Sequence, residues 1–200
     1  IFLITLYISD LLYVFFLGGN VFEVNNKVKS GDLDYILLKP INSQFFISCR
    51  YVMTNALISL MILICLLIRL IYVYHGDQIL LINFIFYSIS IIFGIFIFYS
   101  FEFIIASLVF WLRNFSYAGW LAGELVKYSR RPDSIYKNFF RKALFTFFPM
   151  AMISSVPTRF LIFGVNFKLF LLQMIVALIF LWITTIIWKR GLLRYESASS

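Results

Sequence analysis

ILLINFIFYSISIIFGIFIFYSFEFIIASLVFWL, from Ile79 to Leu112, carries a single charged side chain, Glu102. Coiled as a helix, this stretch has no polar face to offer water. At about 1.5 Å of rise per residue it more than covers the roughly 30 Å hydrocarbon core of a bilayer. Its length predicts a tilted helix reaching past the bilayer, or one broken near Gly94. Four further apolar runs stand beside it: Ile1–Phe22, Tyr51–Tyr74, Ala143–Phe163 and Phe167–Trp188. Each mixes Leu, Ile and Phe without strict alternation, which favours helices over barrel strands. The expected fold is all-α, a polytopic membrane helix bundle with five visible spans, built as a single transmembrane domain over residues 1–200.

Composition agrees. With 62% hydrophobic, 20% aromatic and 13% charged residues, and a mean hydropathy of +0.95, the chain lies outside the range of soluble domains. The net charge of +8 is distributed between the apolar runs, as membrane topology requires, rather than as a nucleic-acid-binding patch. Cys49 and Cys65 form no C-x-x-C or Cys/His cluster, so free thiols are expected, with no disulfide framework and no zinc site.

Lysine and arginine set the orientation. One set of connections holds Lys27, Lys29, Lys39 and Arg50, then Arg113, Lys127, Arg130, Arg131, Lys137, Arg141 and Lys142, then Lys189, Arg190 and Arg194. The other side receives Arg69, Arg159 and Lys168. The positive-inside rule makes the first set cytoplasmic, with the C-terminus among it. The first span then starts outside. Because Ile1 already lies in an apolar run, a further upstream span is expected, giving six in the intact protein.

The polar segment Glu23–Arg50 carries a local helix signal. Ser30 can cap, Gly31 precedes the first turn, Asp32 and Asp34 complement the positive helix end, and Lys39 and Pro40 close it. Leu33, Ile36 and Leu37 make one small apolar face. A helix of about nine residues does not persist alone in water, so it must rest on the membrane, the bundle or a partner. A connector on the headgroups and a docking element for a soluble protein are equally open on these residues.

Three strings narrow that choice. Lys29-Ser-Gly-Asp-Leu-Asp-Tyr-Ile-Leu-Leu-Lys-Pro-Ile41 resembles the signature of one branch of ABC-2-type transporter permeases, the membrane subunits of ATP-binding-cassette exporters. Pro132-Asp-Ser-Ile-Tyr136, followed by Pro149 and Pro157, is similar to a second signature of that branch. Trp188-Lys-Arg-Gly-Leu-Leu-Arg-Tyr-Glu-Ser-Ala198 is similar to a third. They stand in the family's order from about Leu12 to Ala198. The departures are a missing N-terminal span, read as truncation, and Ser129-Arg130-Arg131-Pro132 in place of the usual basic-Tyr-Pro lead. The resemblance implies a permease that moves a substrate across the cell membrane, as a homodimer or beside a related permease. ATP would be consumed by a separate ATPase subunit, with no cofactor bound to this chain. It further implies that Gly31, Asp32, Leu33, Asp34, Ile36, Leu37, Lys39 and Pro40 form a coupling helix seated on that ATPase.

The second cytoplasmic segment, Arg113–Lys142, places Phe115, Ala118, Leu121, Ala122, Leu125 and Tyr128 on one helical face, opposite Glu124 and Lys127. An interfacial amphipathic helix held by anionic lipid is favoured over a second partner contact. Within the spans, Asp10 is the leading polar candidate, roughly 18 Å from the cytoplasmic end of its run. Glu102 is expected near the cytoplasmic surface, and Arg69 snorkels outward. Pro149 and Pro157 break the run Ala143–Phe163, where Ser154 and Ser155 can satisfy freed backbone groups. Asn114-Phe-Ser116, Gly119-x-x-x-Gly123 and the lone His75 beside Asp77 carry no function on their context. No Walker A string and no nucleophile–base pair occur, so the chain reads as no enzyme. Spans rich in Phe and Ile fit an amphipathic or lipid-like cargo. The competing function is a non-transporting membrane scaffold or assembly factor.

Overall fold

The computed structural model describes residues 1–75, 81–112, 118–131, 135, 136, 139, 143, 145, 146 and 148–195. Asp77, Asn114-Phe-Ser116, Pro132–Ser134, Lys137, Arg141 and Lys142, named above, lie outside the described residues, as do the side chains of His75, Ala118, Gly119, Ala122 and Leu125. Every regular element among the described residues is helical. They are α1 (Phe2–Tyr13), a π-turn (Val14–Gly18), α2 (Gly19–Ser30), α3 (Leu33–Leu37), α4 (Ser43–Ser48), α5 (Ala56–His75), α6 (Leu81–Ser107) with a 3-10 end (Leu108–Phe110), α7 (Ala118–Val126) with a 3-10 turn (Lys127–Arg130), α8 (Ala151–Phe163) and α9 (Phe167–Leu192).

Four of these are long and apolar enough to cross a membrane: Phe2–Ser30, Ala56–Val73, Leu81–Phe110 and Phe167–Leu192. The predicted run Ala143–Phe163 behaves differently. Its helix α8 spans 13 residues, or about 20 Å, which is short of a hydrocarbon core. It hides instead in the centre, with Met152, Val156, Phe160 and Leu161 fully buried. An all-round apolar helix wrapped by others gives the same sequence signal as a membrane span.

α6 is the axis of the bundle. It runs parallel to α9 in a constant register, with hydrogen-bonded pairs Ser90–Gln173 and Ser100–Thr184 lying 83 and 84 positions apart. Phe86 packs edge-on to Phe170, and Phe103 to Trp188, along the same seam. Gln173 is fully buried. It accepts from the Ser90 hydroxyl at 2.6 Å and donates to the Ser90 and Met152 carbonyls at 2.9 Å, tying α6, α8 and α9 together. Gln173→Leu should lower unfolding free energy in a mild detergent by about 1–2 kcal/mol, the range for interhelical hydrogen bonds in membrane proteins. An unchanged SDS-unfolding midpoint would show that the amide contributes nothing.

Expectation and structure also part at Pro157. Lacking an N–H, it frees the Ile153 carbonyl one turn earlier. That oxygen meets the Ser9 hydroxyl of α1 at 3.5 Å, while the Ser154 hydroxyl goes to the Ser129 carbonyl at 2.9 Å. The Ser9 hydroxyl of a neighbouring helix is thus one partner of the freed carbonyl. Gly94 of α6 sits directly against this point, where an added Cβ would stand 3.0 Å from the Ile153 oxygen. Gly94 is therefore a close-approach residue in a continuous helix and not a break.

α5 is peripheral. Only the stripe Ala56, Leu60, Leu67 and Ile71 is buried, chiefly against α1, and its remaining apolar surface, including Ile58, Met61 and Ile68, is exposed. Cys65 lies on that outer surface as a free thiol, and Cys49 is free as well.

Candidate functional site

The polar island is built as an extension of the first span. α1 and α2 form one 29-residue rod interrupted by the π-turn, so Glu23–Ser30 continues the helix rather than leading to a new one. A π-turn leaves backbone groups out of the helical ladder. Here the Phe15 carbonyl accepts from the Met53 N–H at 3.0 Å. One turn on, buried Asn20 pairs with both backbone groups of Tyr51, donating to its carbonyl at 2.6 Å and accepting from its N–H at 2.9 Å. The returning chain is thus clamped to the rod before α5 begins.

Gly31, at φ 80°, ends α2 in a left-handed conformation that a residue with a Cβ adopts at a cost. Ser30 is therefore the last residue of α2 and not a helix cap. α3 covers Leu33–Leu37, five residues where about nine were expected, with Asp32 at the N-cap position and Asp34 in the first turn. The Asp32 carboxylate accepts from the Ser30 hydroxyl at 2.7 Å. After Pro40 the chain turns into α4, whose N-cap Asn42 side chain accepts from the Phe45 N–H at 3.1 Å.

The burial pattern divides the expected apolar face. Leu33 and Ile36 are 0% and 3% exposed and point into the bundle, whereas Leu37 faces out. The outer surface of this corner carries Tyr35, Leu38, Lys39, Pro40, Ile41 and Phe45, with Leu38 83% exposed. Leu33 and Ile36 anchor the segment, and Tyr35 with the residues that follow Ile36 make the free surface. The adjoining helix α4 is fastened to the transmembrane helices at several points. Gln44 and Ser48 of α4 both hydrogen-bond the Tyr99 hydroxyl of α6, at 3.3 and 2.7 Å. The Trp188 indole N–H of α9 donates to the Ser43 hydroxyl at 3.1 Å.

The third sequence motif converges on the same corner. Trp188 and Tyr195 both pack edge-on to Phe110. A methyl at Gly191 would overlap the Phe110 ring, which explains glycine one turn after Trp188. Burial, with Asp34 and Asp32 nearby, pushes the Tyr195 phenol up to about 12, so it stays neutral across the physiological range. In the second motif, Tyr136 packs near Tyr128 and donates to its carbonyl at 3.4 Å.

Inside the bundle, Asp10 and Glu102 lie close to Tyr13. The Tyr13 hydroxyl donates to Glu102 Oε2 at 2.6 Å, and its ring packs 4.3 Å from that of Phe98. Asp10, three residues before Tyr13, lines a cleft of about 20 Å³ with Tyr7, Ser129, Arg130 and Ile153. The 3-10 turn Lys127–Arg130 thus reaches in between α1 and α8, with Ser129 buried. Trp120, Lys127 and Tyr128 of the α7 segment remain exposed. Non-helical backbone at this level is tolerated because protein covers it. Glu102 and Tyr13 escaped sequence reasoning as a pair, since nothing in the linear pattern brings residues 89 apart together. Asn20 and Gln173, each polar within or beside an apolar run, carried a detectable signal of the kind that singled out Asp10. Among the described residues, no group of His, Cys, Asp and Glu side chains is placed to hold a metal ion.

Residues 1–199 match the family described as ABC-2 family transporter protein. The chain belongs to that family. Among curated proteins and among solved structures, nothing matches. As an ABC-2 permease it is a transport component of the membrane and not an enzyme, and permeases of this family generally pair with an ABC ATPase subunit. The match takes in all three motifs and the whole helical bundle.

Proposed function

We propose that this ABC-2 permease is the membrane-spanning subunit of an ATP-driven exporter in a cell membrane. Its Gly31–Pro40 segment, with the adjoining Ile41 and Phe45, seats a separate ATPase subunit, and its C-terminus lies in the cytoplasm. The observation that carries this reading is the two-sided corner. Leu33 and Ile36 are sunk into the bundle, while Tyr35, Leu38, Ile41 and Phe45 stand exposed beside Lys39. Clustered apolar side chains at a polar turn mark a contact surface. Hydrogen bonds from Ser43, Gln44 and Ser48 to α9 and α6 would carry a push on that surface into the spans as rigid-body motion.

The shared direction of α6 and α9 places their C-terminal ends on one side, and Lys189 and Arg190 in the last turn of α9 favour the cytoplasm for it. The exposed apolar faces of the spans suit lipid and a second permease, the same or related. The cluster of Asp10, Tyr13 and Glu102 lies where a substrate path or its gate would run, and the largely apolar bundle suits an amphipathic or lipid-like cargo.

Co-purification of the intact protein from its native membrane, followed by transport in proteoliposomes, tests the reading. An ATPase subunit should accompany the permease, and substrate movement should require ATP. Trp188→Phe keeps a smaller aromatic ring against Phe103 and Phe110 and removes the N–H bond to Ser43. It should leave the association intact and lower substrate moved per ATP severalfold. Association without any nucleotide-dependent transport would favour a membrane scaffold.

A further inference from the structure

We infer that the cytoplasmic corner holds a built site for the phosphate headgroup of an anionic phospholipid. It is lined by Lys27, Lys39 and Arg50 together with Tyr35, Tyr51 and Ile36. These residues, with Asp32, enclose a cavity of about 370 Å³. Its three cations come from three elements: the last turn of α2, the chain after α3 and the chain after α4. Among the described residues none of the three is ion-paired. Two are held by aromatic faces instead. Lys39 Nζ lies 4.1 Å from the Phe46 ring centre, and the Arg50 guanidinium lies 5.7 Å from the same ring and 4.9 Å from that of Tyr51. Such contacts orient a cation while leaving its hydrogen-bond donors available to an anion. The one carboxylate of the cavity, Asp32, already accepts from Ser30.

Position selects a lipid over a free phosphate. Lys27, Lys39 and Arg50 all fall in the polar segment that directly follows the apolar run Ile1–Phe22, where a span meets the headgroups. Tyr35 and Tyr51 are residue types that favour this interface. Directly after Tyr51, Val52 and Met53 are exposed and lead onto the outer surface of α5, which gives acyl chains an apolar path from the cavity. The cavity is also pre-organised, because Asn20 fixes both backbone groups of Tyr51. Leu38, Ile41 and Phe45 do not line it, whereas Tyr35 and Lys39 border both the cavity and the proposed ATPase contact, so the site adjoins that contact.

The test is the thermal midpoint of the intact protein in a neutral detergent, titrated with dihexanoyl phosphatidic acid, dihexanoyl phosphatidylcholine or inorganic phosphate. Phosphatidic acid should raise the midpoint saturably, with phosphatidylcholine and phosphate far weaker. The double change Lys39→Gln with Arg50→Gln should weaken the phosphatidic acid response roughly 30-fold, as expected for two basic side chains at a phosphate surface. Lys168→Gln, outside the cavity, should leave it unchanged. Lys27 touches neither ring, so Lys27→Gln tests the site even where the double variant does not fold, with a loss of about fivefold expected. Equal titrations for wild type and the Lys27 variant would overturn the site. Equal responses to phosphatidic acid and phosphatidylcholine would overturn its charge selectivity, and an equal response to inorganic phosphate would overturn the lipid assignment.

Discussion

Leu38→Asp combined with Ile41→Asp should abolish co-purification of the ATPase subunit while leaving the thermal midpoint of the permease within a degree or two of wild type. Both side chains are exposed, at 83% and 48%, so charging them removes nothing from the core. If they form the centre of the contact, their loss costs about 2 kcal/mol or more, at least roughly 30-fold in affinity. Leu33→Asp should act in the opposite way. Leu33 is fully buried against the bundle, and an unpaired carboxylate there faces a desolvation cost of several kcal/mol. The protein should then be lost from the folded, detergent-stable fraction, and no ATPase measurement on it would be informative. Retained association in the Leu38/Ile41 variant, at normal expression, would refute the docking surface. A stable Leu33→Asp protein would refute the inward anchoring of α3.

Gly94→Leu should be the most destabilising single change in the spans, by about 3 kcal/mol or more in SDS unfolding. The first side-chain carbon alone would lie 3.0 Å from the Ile153 oxygen and 3.2 Å from its Cα, and neither helix can yield without losing its packing. Overpacking at a backbone–backbone contact cannot be relieved by turning a side chain. Gly123→Leu is the matched control. A Cβ there meets nothing within 4 Å, so the change should be neutral or gain up to about 1 kcal/mol from helix propensity. Comparable losses at both positions would mean that the α6–α8 approach is not what requires glycine.

The membrane class was legible because it rests on quantities that sum along the chain. Apolar length reports on the bilayer whatever the neighbours are, and four of the five runs became helices long enough to cross. The remaining run, Ala143–Phe163, holds the 13-residue α8 among its described residues, and periodicity has no term for what surrounds a helix. α8 is buried by protein and the spans by lipid, and both appear as unbroken hydrophobicity.

Local rules succeeded at Asp34 in the first turn of α3, but α3 ends at Leu37, so Lys39 lies outside its last turn and Pro40 is not what stops it. They failed at Ser30, because the α1–α2 rod runs eight residues past Phe22 before Gly31 stops it. The same limit governed the face of α3. A stripe of Leu33, Ile36 and Leu37 marks an apolar side without saying whether it meets a partner or its own bundle, and the fold turned Leu33 and Ile36 inward. Asp10 was found by its cost in lipid, a local property. Its company, Tyr13 bonded to Glu102 and Arg130 lining the same cleft, came from three distant stretches.

Hydrophobicity, charge side and motif order thus reside in the string of residues itself, because the bilayer acts on each segment almost independently. Which surface of a short helix is free, which polar groups meet inside the bundle, and which cations gather around one cavity depend on contacts between residues tens of positions apart. Those are settled by packing, where a glycine at 94 or a tryptophan at 188 acts only through the neighbour it touches.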